Sequence, residues 1–172
     1  MKIAISGKMC SGKSTIANLI HTLDPRYKKY SFANKIKELA VELFDMENKD
    51  RDLLISIGSK FREIDPNVWV NYVIKETKYE KFCIIDDVRY QNEVDILTNN
   101  GWIFIDLKVF DKDQENRIIR SYPTNYEQHL KNRSHESENN KLSYNPILKI
   151  NTSIDNIEKI RHELYLLVIK NN

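Results

Sequence analysis

Three short runs of apolar, largely β-branched and aromatic residues stand out along the chain, at residues 3–6, 82–85 and 102–109. Each is bounded by glycine, aspartate or asparagine, where a strand should stop, so each predicts a buried strand. Weaker runs at 29–32 and 147–150 predict two more. Between them apolar positions recur at three- and four-residue spacing, which predicts helices over 14–23, 35–44, 51–61, 66–76, 92–99 and 154–169. Strands alternating with helices imply a mostly parallel sheet covered on both faces. Residues 111–143 break the pattern. They are rich in Asn, Ser, Glu, Lys and Arg, sustain no apolar stripe, and read as a mobile excursion between the fourth and fifth strands.

A chain of 172 residues suffices for one buried α/β core, so a single domain over 1–172 is expected. The net charge of +2, in a chain that is 30% charged, gives no field able to hold a nucleic acid stably, and any basic site must be local. The two cysteines, Cys10 and Cys83, make no disulfide framework and suit a reducing compartment. No apolar run approaches the roughly 18 residues of a membrane span, and the amino-terminal run is too short for a signal peptide. A cytoplasmic protein with no membrane partner is the expectation.

The strongest chemical signal is Gly7-Lys8-Met9-Cys10-Ser11-Gly12-Lys13-Ser14, a G-x-x-x-x-G-K-S string that follows a predicted strand and opens a predicted helix. Glycines at 7 and 12 permit backbone angles that let successive N–H groups converge on a phosphate. Lys13 reaches the β- and γ-phosphates, and the Ser14 hydroxyl can ligate Mg²⁺. Lys8, Cys10, Ser11 and Thr15 complete the set expected around bound ATP, with Thr15 suited to packing or capping and Cys10 reading as a variable loop position rather than a redox site. An ordinary strand-to-helix turn is the bland alternative.

Phe82-Cys83-Ile84-Ile85-Asp86-Asp87 is an apolar strand ending in two aspartates, either of which could stand beside Mg²⁺ and its waters or simply stop the strand. Arg89 follows at the carboxyl edge of the sheet, where ligands of such folds bind, and would hold a phosphate. Arg117 and Arg120, three residues apart, would share one helix face after the fourth strand.

Asp87-Val88-Arg89-Tyr90-x-Asn92-Glu93, followed by Gly101 and an apolar strand, resembles the D-V-R-F-x-N-E signature of the deoxynucleoside monophosphate kinases of bacteriophages and large DNA viruses. Upstream, Phe32-Ala33 with Lys37 resembles that family's F-A-x-x-L-K segment, with Ile36 replacing leucine. Arg51, Leu54, Gly58, Arg62 and Trp69 resemble its R-x-x-L-x-x-x-G-x-x-x-R stretch and downstream tryptophan, and His135-Glu136-Ser137-Glu138 its H-x-S-E element. Asn151 stands where the family's last strand ends in asparagine. The resemblance spans nearly the whole chain in the same order. The chain departs from it at Asn34-Lys35, where an aspartate-proline pair is usual, and at Met9-Cys10, where polar residues are common.

The resemblance implies a three-layer α/β/α P-loop kinase fold, with a five-stranded parallel sheet in the order 2-3-1-4-5, an acceptor-binding helical region over 34–80 and a lid over 111–143. It implies transfer of the γ-phosphate of ATP, with Mg²⁺, to a deoxynucleoside 5′-monophosphate, and a homodimer is compatible with it. Lys13, Arg89, Arg117 and Arg120 would offset charge during transfer. Lys37, Arg62, Trp69, Asp87, Arg89 and Glu93 would surround the acceptor, Trp69 either as core or as a base-stacking surface. Ser14 with Asp86 or Asp87 would hold the metal, Asn151 and Thr152 would either meet the donor base or cap the loop after the last strand, and His135 and Glu138 would anchor the lid. Two alternatives stay open. One is a kinase of another small phosphorylated acceptor of the phosphomevalonate or dephospho-coenzyme A kind. The other is a nucleotide-dependent switch, although Asp86-Asp87 lacks the following glycine of a D-x-x-G and Asn48-Lys49-Asp50-Arg51 is not an N-K-x-D.

Overall fold

Five strands lie in the order β2-β3-β1-β4-β5, and every neighbouring pair is parallel. They are β1 (Lys2–Gly7), β2 (Lys28–Tyr30), β3 (Cys83–Ile85), β4 (Trp102–Lys108) and β5 (Leu148–Asn151). In register, Ile3 of β1 stands between Ile84 of β3 and Ile103 of β4, Tyr30 of β2 faces Ile85, and Lys108 faces Asn151. The structure, a computed structural model, describes residues 1–131, 133 and 141–170.

Side chains alternate across a strand, and each face of this sheet has its own helices. Ile3, Ile5, Ile84, Ile105 and Ile150 pack on one face against Ile16 and Ile20 of α1 (Lys13–Leu23) and Ile160 and Leu164 of α8 (Ile157–Tyr165). Ala4, Cys83, Ile85, Trp102 and Phe104 pack on the other. There they meet α2 (Phe32–Phe44), α3 (Arg51–Ile64), α4 (Val68–Glu76) and α5 (Gln91–Asn99). Burial on both faces explains why the strands read as continuous apolar runs rather than alternating ones.

Local chemistry moves several boundaries from their predicted places. Phe32, expected to close a strand, opens α2, because Ser31 caps that helix with its Oγ accepting the Ala33 N–H at 3.1 Å. Asp50 caps α3 by accepting the Leu53 N–H at 3.0 Å. Asn156 caps α8, so the last helix starts at Ile157 rather than 154, and it closes in a π-helical turn over Leu166–Lys170.

Within the stretch that reads as a mobile excursion, the described residues include regular structure. Asp111–Ser121 forms a regular helix, α6, and Tyr126–Lys131 a shorter one, α7. Only Gln114 and Ile118, one turn apart, are buried on α6. So narrow a contact stripe registers poorly in a search for sustained periodicity, yet it suffices to seat the helix. Asp111 and Asp113 in its first turn and Arg120 in its last complement the helix dipole. Among the described residues no helix is long and apolar enough to cross a membrane.

Candidate functional site

The loop from β1 to α1 wraps tightly on itself. A Cβ at Gly7 (φ +150°) would stand 2.7 Å from both the Leu107 carbonyl and Ser11 Oγ, and Gly12 has φ +98°. Neither place accepts a side chain without strain. Cys10 is also left-handed, with φ 57°, a conformation uncommon outside glycine and asparagine. Lys13 Nζ donates to the carbonyl oxygens of Gly7 and Lys8 at 2.6 and 2.8 Å, so the ammonium lies across the mouth of the loop.

The loop's outward carbonyls are taken by α6 and by the turn after β5. Gln114 Nε2 donates to the Met9 carbonyl at 2.8 Å, and Arg117 donates to the carbonyls of Cys10 (3.3 Å) and Thr152 (2.6 Å) and to Thr152 Oγ1 (2.8 Å). Thr152 Oγ1 donates to the Ser11 carbonyl at 3.0 Å. The Lys8 ammonium turns away to Asp111 at 2.9 Å, leaving its backbone as its contribution to the loop. Ser11 is buried, and its Oγ finds no hydrogen-bond partner among the described residues.

The two aspartates after β3 point to opposite faces of the sheet, as successive residues of an extended chain must. Asp86 follows the parity of Ile84, toward α1, and its Oδ2 accepts from Ser14 Oγ at 2.7 Å, with Lys29 Nζ 3.4 Å away. Asp87 follows Cys83 and Ile85, toward α2. Its Oδ2 accepts from Ser31 Oγ at 2.7 Å and from the Ala33 N–H at 3.0 Å, which adds a second cap to α2. Burial pushes the Asp87 carboxyl above the usual range, opposed by hydrogen bonds from Ala33, Ser31 and Phe32. Of the two aspartates expected at the metal, therefore, Asp86 stands beside Ser14 and Asp87 caps α2. A hydroxyl and a carboxylate, all-oxygen donors with room left for water and phosphate, fit Mg²⁺. Among the described residues no cluster of three or more His, Cys, Asp or Glu side chains offers a richer metal site.

On the α2–α3 side lies a cleft of about 300 Å³. Phe32, Ile36, Leu54 and Ile55 give it apolar walls, and Lys37, Arg51, Arg62 and Arg89 bring four cations to it, with Asp87 and Tyr90 also in its lining. Arg51 and Arg62 are about three helical turns apart, hence on one face of α3. The Arg62 guanidinium lies 4.6 Å from the Tyr90 ring centre, donates to the Gly58 carbonyl at 3.2 Å and stands 3.5 Å from Glu93 Oε1.

Two expected acceptor-side residues lie behind this cleft rather than in it. Trp69 is 3% exposed, tilted against Phe61, with its indole N–H donating to the Gly58 carbonyl at 3.1 Å; it is core. Glu93 is buried, and its Oε2 accepts the backbone N–H groups of Arg89 (2.8 Å) and Tyr90 (3.1 Å) at the start of α5. Burial raises its pKa against those hydrogen bonds and the Arg62 charge. It shapes the turn that carries Arg89. Arg51 has no role in the sequence reading beyond its place in the R-x-x-L stretch, and that place was the available signal.

A second groove, of about 480 Å³, opens on the α1–α8 side, lined by Cys10, Gly12, Thr15, Ile16, Arg117, Arg120, Thr152, Asp155 and Ile157 among others. Arg117 and Arg120 share a face, as their spacing predicts, and that face turns to this groove beside the phosphate loop. Asn151 is spent on its own turn, its Oδ1 accepting the Ser153 N–H and its N–H donating to Asp155 Oδ2. Thr152, the other residue expected there, reaches the groove. His135 and Glu138 lie outside the described residues.

No protein-family model and no curated protein matches the chain. Solved structures do match. A shikimate kinase from Acinetobacter baumannii in complex with shikimate is 18% identical, with 99% of this chain and 94% of that chain covered and a TM-score of 0.57. A gluconokinase from Sinorhizobium meliloti 1021 is 11% identical, with coverage of 99% and 92% and a TM-score of 0.57. The Mycobacterium tuberculosis APS kinase in complex with AMPPNP and APS is 14% identical, with coverage of 96% and 96% and a TM-score of 0.53. The fold is the P-loop kinase α/β fold.

Proposed function

We propose that this protein is a Mg²⁺-dependent kinase that transfers the γ-phosphate of ATP to a deoxynucleoside 5′-monophosphate, giving the diphosphate. The observation that carries this reading is the cleft in which Lys37, Arg51, Arg62 and Arg89 meet around apolar walls. Four cations suit a phosphate dianion approaching a second phosphate chain, and the Phe32, Ile36 and Tyr90 surfaces suit a planar base. The order of motifs around Asp87-Val88-Arg89-Tyr90 favours the same acceptor.

The chain's own groups divide the work. The α1 amino terminus and the loop N–H groups hold the donor phosphates, and Lys13 exchanges the carbonyls of Gly7 and Lys8 for phosphate oxygens. Ser14 and Asp86 would hold Mg²⁺, which neutralises charge on the β- and γ-phosphates. Arg89 and Arg62 orient the acceptor phosphate for in-line attack. No general base is needed, because a phosphate monoester with a second pKa of about 6 is already a dianion near neutral pH. The groove with Thr15, Arg117, Arg120 and Thr152 takes the donor nucleoside.

The test is ADP release with ATP and Mg²⁺ against the five common deoxynucleoside monophosphates, their ribose counterparts, phosphomevalonate, dephospho-coenzyme A, shikimate and gluconate. Turnover that depends on a deoxynucleotide is the expected result. Turnover with one of the other acceptors moves the assignment to that molecule's class, and slow hydrolysis indifferent to all of them moves it to a nucleotide switch.

A further inference from the structure

Arg51, on the first turn of α3 and in the wall of the cationic cleft, is tied to α7. Its guanidinium meets Nδ1 of His129 at 2.9 Å. Arginine has donors only, so Nδ1 accepts, and the imidazole is neutral with its proton on Nε2. The His129 ring is buried and stacks on Tyr122, at the end of α6, with centroids 3.8 Å apart and planes 24° apart. An aromatic plate and a buried acceptor thus fix one nitrogen of Arg51, and among the described residues no other side chain takes the rest of its donor fork, which lines the cleft.

We propose that His129 is a positioning residue for the acceptor, holding Arg51 at the cleft wall and so coupling the α6–α7 arm to the grip on the acceptor phosphate. The inference rests on the reading of the cleft given above. Among the described residues, the groups that face the ring are Arg51 from α3, Lys49 from the turn before it, and Tyr122 from the end of α6. Both charged neighbours are cations, and burial first, then Arg51 and Lys49, hold the His129 pKa below the ordinary histidine range. Protonating His129 removes the acceptor atom and sets a cation against Arg51, so acceptor binding weakens as pH falls through that lowered value.

Two variants separate the acceptor atom from the stack. His129→Phe keeps the plate on Tyr122 and loses the acceptor, and His129→Asn restores an acceptor oxygen near the place of Nδ1. Loss of a hydrogen bond to a charged group predicts an acceptor KM raised about tenfold in His129→Phe, with kcat and the KM for ATP near wild type. His129→Asn should stay within about threefold, and adding His129→Phe to Arg51→Ala should cost nothing further. Between about pH 7 and 5 the wild-type acceptor KM should rise more steeply than that of His129→Asn, because the substrate's own titration is common to both. Unfolding midpoints establish that each variant folds. A wild-type KM in folded His129→Phe, a defect that persists in the Arg51→Ala background, or a His129→Asn as impaired as His129→Phe overturns the proposal. If the wild type turns over no monophosphate, the acceptor reading fails by itself. The same series is then measured by calorimetric binding of inorganic phosphate, where weaker binding by His129→Phe and Arg51→Ala, but not by His129→Asn, sustains the coupling. Equal binding by all variants, or none by the wild type, sinks it.

Discussion

Ser14 Oγ donates to Asp86 Oδ2 at 2.7 Å, joining the first turn of α1 to the end of β3. Asp87, one residue on, faces away and holds Ser31 and Ala33 at the start of α2. Neutralising the first should therefore damage the chemistry, and removing the second should damage the fold. Asp86→Asn is expected to lower kcat about 100-fold with little change in unfolding midpoint, on the scale of losing one preorganised electrostatic contact. Asp87→Ala, which strips the acceptor from two donors, should cost about 1–3 kcal/mol in urea unfolding. Equal kinetic effects from both would refute this division of labour.

Glu93 acts through Arg89 and Tyr90, whose N–H groups it accepts while standing near Arg62. Glu93→Ala leaves two N–H groups without their acceptor, so a stability loss of about 2 kcal/mol or more is expected. The acceptor KM should rise as the turn loosens, and the KM for ATP should hold. Urea unfolding and steady-state kinetics on one preparation check both.

Cys10 carries φ 57° inside the phosphate loop. Cys10→Gly removes the conformational cost and should leave the KM for ATP near wild type. Cys10→Val, β-branched at a left-handed position, should lose about 1–3 kcal/mol of stability and weaken ATP binding. Thermal unfolding with and without ATP distinguishes the two.

Cys83 is fully buried between strands, and burial pushes its thiol up to about 11 from an ordinary value of about 9. The unfolded chain therefore ionises first as pH rises. This group's contribution is complete below about pH 9 and is lost progressively toward pH 11, by roughly 2–3 kcal/mol in all. Subtracting the stability curve of Cys83→Ala from that of the wild type should leave that slope. A flat difference between those pH values would show that the thiol ionises as readily folded as unfolded.

Sequence alone determined the phosphate loop, the alternation of strands and helices, and the extent of most elements, because those depend on local periodicity and on glycines at stated spacing. Even the sheet order followed from the motif resemblance. What local pattern could not supply was direction. Asp86 and Asp87 are equivalent as letters, and only the seating of α1 and α2 on opposite faces of the sheet sends one to Ser14 and the other to Ser31. Trp69 and Glu93 carry motif positions but stand behind the cleft, since burial is set by packing across α3, α4 and α5. Arg117 and Arg120 were rightly placed on one helix face, yet the face it turned to was decided by Gln114 and Ile118 seating α6 beside the loop. The contact between Arg51 and His129 spans 78 residues, and no spacing rule joins such positions. Periodicity reports which residues share a face; tertiary packing decides what that face meets.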